Sequence, residues 1–227
     1  MTITTCIFDA YGTLFDVAAA RTAAAEPGRE KFAEHWPKIA EHWRLKQLQY
    51  TWLRAVMDQH TDFWQVTQDG LDWALEAEGQ HGDPELRQRL LQLYWELEAY
   101  AEVPDMLKAL KNKGMNTAIL SNGSPDMLTG AVQSAGIGGV LDDVLSVETV
   151  QIFKPARVVY DLVGTRFNCT PDEVLFVSSN GWDACAAAGY GFVTAWVNRA
   201  GDPVDRLHAA PEHRLTDLTG IPDLVGG

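Results

Sequence analysis

The stretch Cys6-Ile7-Phe8-Asp9-Ala10-Tyr11-Gly12-Thr13-Leu14-Phe15-Asp16 decides how the rest of this chain is read. Three apolar residues deliver an aspartate straight into a Gly-Thr turn, the pattern of a short buried strand that ends in a loop. Open α/β sheets bind their ligands in the crevice beyond the carboxyl ends of the strands, and Asp9 is predicted to stand at such an end.

Outward from this strand, residues 16 to about 100 carry almost no strand signal and read as helices. Alternation then sets in. Met115–Leu120 is a predicted strand, Pro125–Ala135 a helix opened by Ser124 as N-cap with Pro125 at its first position, and Val144–Val147 a second short strand. Val174–Ser178 reads as a third, followed by the small-residue helix Ala184–Ala188 and the strand Phe192–Val197. Strands alternating with helices imply a mostly parallel sheet with crossover helices. The expected fold is therefore α/β, with residues 1–15 and 101–227 forming a Rossmann-like catalytic core and residues 16–100 inserted into it as an all-helical cap domain.

Within the insert, Leu45, Leu48, Trp52 and Ala55 or Val56 recur at helical spacing, which predicts an amphipathic helix packed through that face. Six of the eight tryptophans (Trp36, Trp43, Trp52, Trp64, Trp73, Trp95) fall in the same segment. Large apolar side chains stabilise a small bundle well, so they read as its core or as a face for a second copy rather than as a cofactor box. Ala18–Ala25 is rich in alanine but too short to count as low complexity.

Composition bounds the partners. A net charge of −13 disfavours nucleic acid and anionic membrane through the field of the whole molecule. No apolar run approaches the 18 or so residues of a membrane span, and the chain enters a strand at once without a basic leader, so a cytoplasmic enzyme is expected. Cys6, Cys169 and Cys185 lack metal-ligand spacing, and their odd number argues against a disulfide framework. An anionic substrate would need local cations and helix N-termini to attract it.

Four segments carry chemistry. Beside Asp9 stand Leu120-Ser121-Asn122-Gly123 at the end of the next strand, Phe153-Lys154-Pro155 before a helix, and Val177-Ser178-Ser179-Asn180-Gly181-Trp182-Asp183 after the late strand. In a parallel sheet all four end at one edge and can converge on a single cleft. None of the six histidines falls in these segments. Surface or cap positions suit them, with His42, two residues before Arg44, kept as the one exception.

Together with the cap segment Trp43-Arg44-Leu45-Lys46-Gln47-Leu48-Gln49-Tyr50-Thr51-Trp52-Leu53-Arg54, these motifs resemble the L-2-haloacid dehalogenases, the founding branch of the haloacid dehalogenase superfamily. The superfamily's phosphatases carry a second aspartate two residues after the first, where this chain has Tyr11. The resemblance implies Asp9 as nucleophile, with Arg44, Asn122 and Asn180 holding the departing halide. It implies catalytic positions for Thr13, Ser121, Lys154, Tyr160, Ser178 and Asp183 as well. Leu45 departs from it, since a glutamine is expected beside the arginine, and this bears on halide or substrate preference.

The residues support the same chemistry on their own. A phosphatase of this fold needs Mg²⁺ held by the nucleophile and by an acid after the late strand, plus a second acid to protonate an alkoxide leaving group. Tyr11 and Ser179 occupy those places. A halide leaves without protonation, so both acids can be spared, and no metal or cofactor is expected.

Asp9, paired with the ammonium of Lys154, would attack C2 opposite the halogen to form an ester, inverting that centre. Arg44 offers a fork of donors to the halide, in a mostly dry cradle of Tyr11, Phe63 and Trp182, with Leu48 also assigned to substrate binding. Ser121 and the strand-end N–H groups would hold the substrate carboxylate. Asp183 is the candidate to activate the hydrolytic water at the Asp9 carbonyl, and Lys154 shares that candidacy. The expected partners are a small anionic 2-haloacid and water, with a second copy of the chain in a homodimer. The competing readings are a Mg²⁺-dependent phosphatase of the same superfamily and a non-catalytic module of the same fold that binds a ligand.

Overall fold

Runs of β-branched and aromatic residues such as Thr5-Cys6-Ile7-Phe8 and Val174-Leu175-Phe176-Val177 are apolar on both faces, as a strand covered by helices on either side must be. The computed structural model describes residues 2–17, 30–95 and 97–226. Its strands are β1 (Thr5–Phe8), β2 (Asn116–Ser121), β3 (Asp143–Ser146), β4 (Val174–Ser178), β5 (Val193–Val197) and β6 (His213–Leu215). They form one parallel sheet in the order β3-β2-β1-β4-β5-β6.

Phe8 is level with Ile119 on one side and Val177 on the other, so Asp9 emerges at the same edge as the loops after β2 and β4. The chain first builds outward through β2 and β3 and then returns to add β4 on the opposite flank of β1. That reversal makes the β1/β4 boundary the switch point where such sheets bind ligands. The expected α/β fold with a parallel sheet is what the chain adopts.

The helices are α1 (Glu30–Met57), α2 (Phe63–Ala77), α3 (Pro84–Gln92), α4 (Val103–Asn112), α5 (Pro125–Ser134), α6 (Arg157–Phe167) and α7 (Gly181–Tyr190). α5 starts as expected, with the Ser124 hydroxyl accepting the Met127 N–H. α7 is longer than the Ala184–Ala188 reading at both ends, and its first turn absorbs Gly181-Trp182-Asp183. β6 was not foreseen, because three residues with two polar side chains give no strand pattern. Ala18–Ala25 lies outside the described residues.

The first three helices sit between β1 and the rest of the sheet. Where that excursion leaves and rejoins, the Asp16 N–H donates to Glu98 O (2.9 Å), the Tyr100 N–H donates to Leu14 O (3.0 Å), and Phe15 pairs antiparallel with Ala99. Phe32, Trp36, Ile39, Trp43, Leu71, Leu75, Leu86 and Leu90 form a buried cluster among α1, α2 and α3. Phe63 and Val66, at the start of α2, are buried in the main core instead.

The face that α1 buries corrects the sequence reading. Leu45 and Val56 are 54% and 87% exposed. The buried stripe runs through Trp36, Ile39, Trp43, Gln47 and Thr51. Gln47 and Thr51 disguise it, being polar residues whose hydrogen bonds are met inside. Gln47 Nε2 donates to Thr67 Oγ1 (3.0 Å), its Oε1 accepts the Tyr94 hydroxyl (3.1 Å), and Thr51 Oγ1 donates to Leu48 O (2.8 Å). A buried polar group so satisfied costs little, whereas unpaired it would cost about 1–3 kcal/mol.

The tryptophans divide accordingly. Trp36 and Trp43 are buried within the helical cluster, and Trp64 and Trp95 meet edge-on at 5.2 Å. Trp52 is edge-on to Trp182 at 5.5 Å, and Trp73 lies near the surface beneath the Lys46 ammonium.

Candidate active site

β1 carries its last apolar side chain at Phe8 and turns, leaving the Asp9 carboxylate 7% exposed at the sheet edge. Gly12 makes that turn, with φ +80° and a Cβ position only 3.2 Å from Ser179 Oγ. Three donors hold the carboxylate. Thr13 Oγ1 (3.1 Å) and Asn180 Nδ2 (3.0 Å) reach Oδ2, and Lys154 Nζ (3.2 Å) reaches Oδ1. The Thr13 hydroxyl in turn accepts the Ser179 N–H at 2.8 Å, tying the loop after β1 to the loop after β4.

Lys154 lies between two acids and is 1% exposed. Its ammonium also reaches Asp183 Oδ2 at 2.9 Å, and the Tyr160 hydroxyl donates to Asp183 Oδ1 at 2.8 Å. Burial by itself would favour the neutral amine, but the two carboxylates outweigh it and hold the Lys154 pKa above its ordinary value. Burial lifts the Asp183 carboxyl above its usual range, and the Asp9 charge adds to this, while Lys154 and the Tyr160 hydroxyl pull the other way. Burial likewise raises the Tyr160 phenol, reinforced by Asp183, so it remains a hydrogen-bond donor.

Asp183 is the sequence's candidate, with Lys154, to activate the hydrolytic water at the Asp9 carbonyl. Both its oxygens are engaged, and its link to Asp9 runs through the Lys154 ammonium. The Lys154 ammonium thus stands between two buried carboxylates. Among the described residues, no group of three His, Cys, Asp or Glu side chains is placed to bind a metal.

A cavity of about 30 Å³ opens on Asp9 and is lined by Tyr11, Arg44, Leu48, Phe63, Ser121, Asn122, Lys154, Asn180 and Trp182. Arg44 comes from α1 and donates through Nη2 to Asn180 Oδ1 at 2.5 Å, so a helix of the insertion touches the loop after β4. Asn180 is thus a bridge, with its amide nitrogen on Asp9 and its oxygen on Arg44, rather than a free donor. Asn122 accepts the Lys154 backbone N–H through Oδ1 at 2.9 Å, and Ser121 Oγ accepts the Gly123 N–H at 3.0 Å. The Asn122 amide nitrogen and the Ser121 hydroxyl proton have no partner assigned among the described residues. Two further donors, the Tyr11 hydroxyl and Trp182 Nε1, are buried without a hydrogen-bond partner among the described residues.

Of the residues singled out from sequence, the cavity gathers every one except Thr13, Tyr160, Ser178 and Asp183, which stand behind it. Ser178 Oγ accepts the Asn180 N–H at 3.1 Å and so fixes the turn that presents Asn180. His42 is elsewhere, near Glu78 and edge-on to Trp73. His60, set aside as a cap residue, pairs instead with Glu148 beyond β3 at 3.0 Å and lies over the Phe153 ring.

Sequence reading missed the support behind the aromatic wall. Tyr94 lies 5.9 Å from Tyr11 and 5.0 Å from Trp43, ring centre to ring centre, and is anchored by Gln47. Gln47 could have been found as the polar residue interrupting an aromatic stripe on α1.

Residues 3–191 match the haloacid dehalogenase-like hydrolase family. The chain belongs to that family. This haloacid dehalogenase-like hydrolase is 40% identical to (S)-2-haloacid dehalogenase 1 of Pseudomonas sp. (strain CBS-3), over 98% of this chain and 96% of that one. It is equally 40% identical to the (S)-2-haloacid dehalogenase of Pseudomonas sp. (strain YL), over 96% and 92% of the two chains. Its fold superposes on the L-2-haloacid dehalogenase of Xanthobacter autotrophicus solved with chloropropionic acid covalently bound, with a TM-score of 0.87, 35% identity and 98% of each chain covered.

Proposed function

We propose that this hydrolase is an (S)-2-haloacid dehalogenase, converting short-chain L-2-haloalkanoic acids to D-2-hydroxyalkanoic acids through an aspartyl ester. The observation that carries this is the Asp9 carboxylate, fixed by Thr13, Asn180 and Lys154 and facing a cavity that also holds Arg44. The carboxylate attacks C2, the carbon–halogen bond breaks with its electron pair, and the halide leaves toward Arg44. Backside displacement inverts C2. Water then adds at the Asp9 carbonyl, the hydroxy acid departs, and the carboxylate is restored.

Each remaining group has a place in this scheme. Arg44 is the preorganised donor for the halide, with the free Trp182 Nε1 and Tyr11 hydroxyl beside it. Ser121 is assigned to the substrate carboxylate, Asn122 joins Arg44 at the halide, and Leu48 and Phe63 exclude water. Lys154 balances Asp9 and orients the hydrolytic water, and Asp183, steadied by Tyr160, acts through it. Thr13 and Ser178 hold the two loops in register.

The reading includes three further proposals. Turnover needs no metal, supported by the Lys154 ammonium between the two buried carboxylates and by Tyr11 and Ser179 where accessory acids would stand. Residues 16–100 act as a cap domain over a core of 1–15 and 101–227, supported by the contact of Arg44 with Asn180. The enzyme works as a cytoplasmic homodimer, supported by the apolar exposed stripe Leu45, Leu53, Val56 and Met57 on α1 and by three unpaired cysteines, which suit a reducing compartment.

The test is halide release from each enantiomer of 2-chloropropionate, with and without a strong chelator. Release from the S enantiomer alone, giving R lactate and unaffected by chelation, is expected. Activity lost to the chelator and restored by Mg²⁺ would overturn the metal-free mechanism, and no halide release would overturn the reading as a whole.

A further inference from the structure

A second, much larger space lies on the far side of the reaction cavity's wall. It is a groove of about 740 Å³ whose lining is mostly aliphatic and aromatic, and Trp182 borders both spaces. The same three segments wall the two. On α1, Leu48 lines the cavity, while Trp52 and Ala55, one and two turns on, line the groove. On α7, Trp182 is followed one turn later by Ala186, and Lys154 is followed by Pro155 and Ala156. Cavity and groove lie along the same three segments and share the Trp182 indole, which meets the Trp52 ring edge-on.

The reaction geometry says what would lie along these segments. On the dehalogenase reading, C2 of the substrate carries a halogen directed at Arg44, a carboxylate directed at Ser121, a hydrogen and the alkyl chain. The chain must take an apolar wall. Tyr11 and Phe63 form one such wall, with Phe15 and Tyr94 packed against Tyr11, and the Phe153 ring that meets Phe63 itself borders the groove. The Trp182 wall is backed by open groove. A methyl group fits inside the small cavity, and a longer chain has space past Trp182.

We propose that the groove is an alkyl-chain subsite, and that the enzyme accepts 2-haloacids with straight tails several carbons longer than propionate, the tail passing the Trp182 indole to lie against Trp52, Ala55, Pro155, Ala156 and Ala186. The proposal rests on the dehalogenase reading and extends its substrates beyond the short chains. Each methylene buried there contributes up to about fourfold in kcat/KM.

The test is a kinetic series on 2-bromopropionate, 2-bromobutanoate, 2-bromohexanoate and 2-bromooctanoate, with the wild type and with two variants that fill the groove from opposite sides, Ala55→Trp and Ala186→Phe. Neither residue touches the reaction cavity. The wild type should keep or raise kcat/KM from propionate to octanoate. Both variants should stay within about twofold of it on 2-bromopropionate, which also reports that they fold, and lose at least about tenfold on 2-bromooctanoate. A steady fall with chain length in a wild type that turns over 2-bromopropionate overturns the subsite, as does a variant that loses both substrates alike. A wild type inactive even on 2-bromopropionate overturns the dehalogenase reading on which the subsite rests.

Discussion

The two sides of the reaction cavity are built in opposite ways. On the sheet side, Asp9, Thr13, Lys154, Tyr160 and Asp183 form a closed buried network in which each polar group meets a partner. On the facing side, the Tyr11 hydroxyl and Trp182 Nε1 are buried with none among the described residues, and Arg44 crosses to donate to Asn180. A buried donor without a partner costs about 1–3 kcal/mol, so the second side is complete only when an acceptor arrives between those donors. On the dehalogenase reading, one side holds a nucleophile at rest and the other waits for an anion, the division of labour expected of a displacement at carbon.

The largest expected effect breaks the sheet side. Asp9→Asn keeps the shape and removes the nucleophile, and should lower kcat by about 10⁴-fold or more with the fold intact. Single-turnover hydrolysis in heavy-oxygen water should label an Asp9-containing peptide of the wild type, and an unlabelled peptide would mean that no aspartyl ester forms.

Lys154→Met asks whether that network stands without its cation. Two buried carboxylates would face each other uncompensated, which should cost about 3–5 kcal/mol in denaturant unfolding at neutral pH together with most of the activity. The stability loss should shrink as pH falls, because protonating the stranded carboxyls removes the unbalanced charge.

Arg44→Lys probes the facing side. An ammonium keeps the charge but loses the fixed fork of donors, so the halide-expelling step should slow by about 10²–10³-fold. Rapid-quench kinetics should show slower ester formation with ester hydrolysis nearly unchanged. The reverse pattern would move Arg44 out of the leaving-group site.

The smallest effect is a shift of the pH profile. The Tyr160 hydroxyl is one of the groups that pull the Asp183 pKa down, so Tyr160→Phe should raise it further and move the acid limb of kcat/KM to higher pH. The alkaline limb should stay put in both enzymes. Lys154 is held above its ordinary value of 10.5, so its ammonium is lost only beyond that pH. A Tyr160→Phe profile that superposes on the wild type would show that Asp183 does not govern the acid limb.

How far this was legible beforehand varies by region. β4 was bounded to the residue, because an apolar strand between polar turns has few alternatives. The convergence of Asp9, Ser121, Asn122, Lys154 and Asn180 followed from parallel topology alone, since every such strand ends at one edge. The buried face of α1 was misread because Gln47 and Thr51 look like surface residues until Thr67, Tyr94 and the Leu48 carbonyl are placed opposite them. β6 escaped because its pairing partner, and not its own three residues, makes it a strand.

The sequence by itself determined the alternation that builds a parallel sheet, the position of each charged group along it, and the replacement of two accessory acids by Tyr11 and Ser179. These are local properties, set by side-chain chemistry and by the periods of helix and strand. Only the tertiary structure decided that Lys154 stands between Asp9 and Asp183, that Asn180 bridges Arg44 to the nucleophile, and that Trp182 borders both a small cavity and a large groove. Each of these depends on distances of about 3 Å between residues 29 to 171 positions apart, or on space enclosed by several elements at once. Such distances and spaces are fixed by packing, which no local stretch of chain encodes.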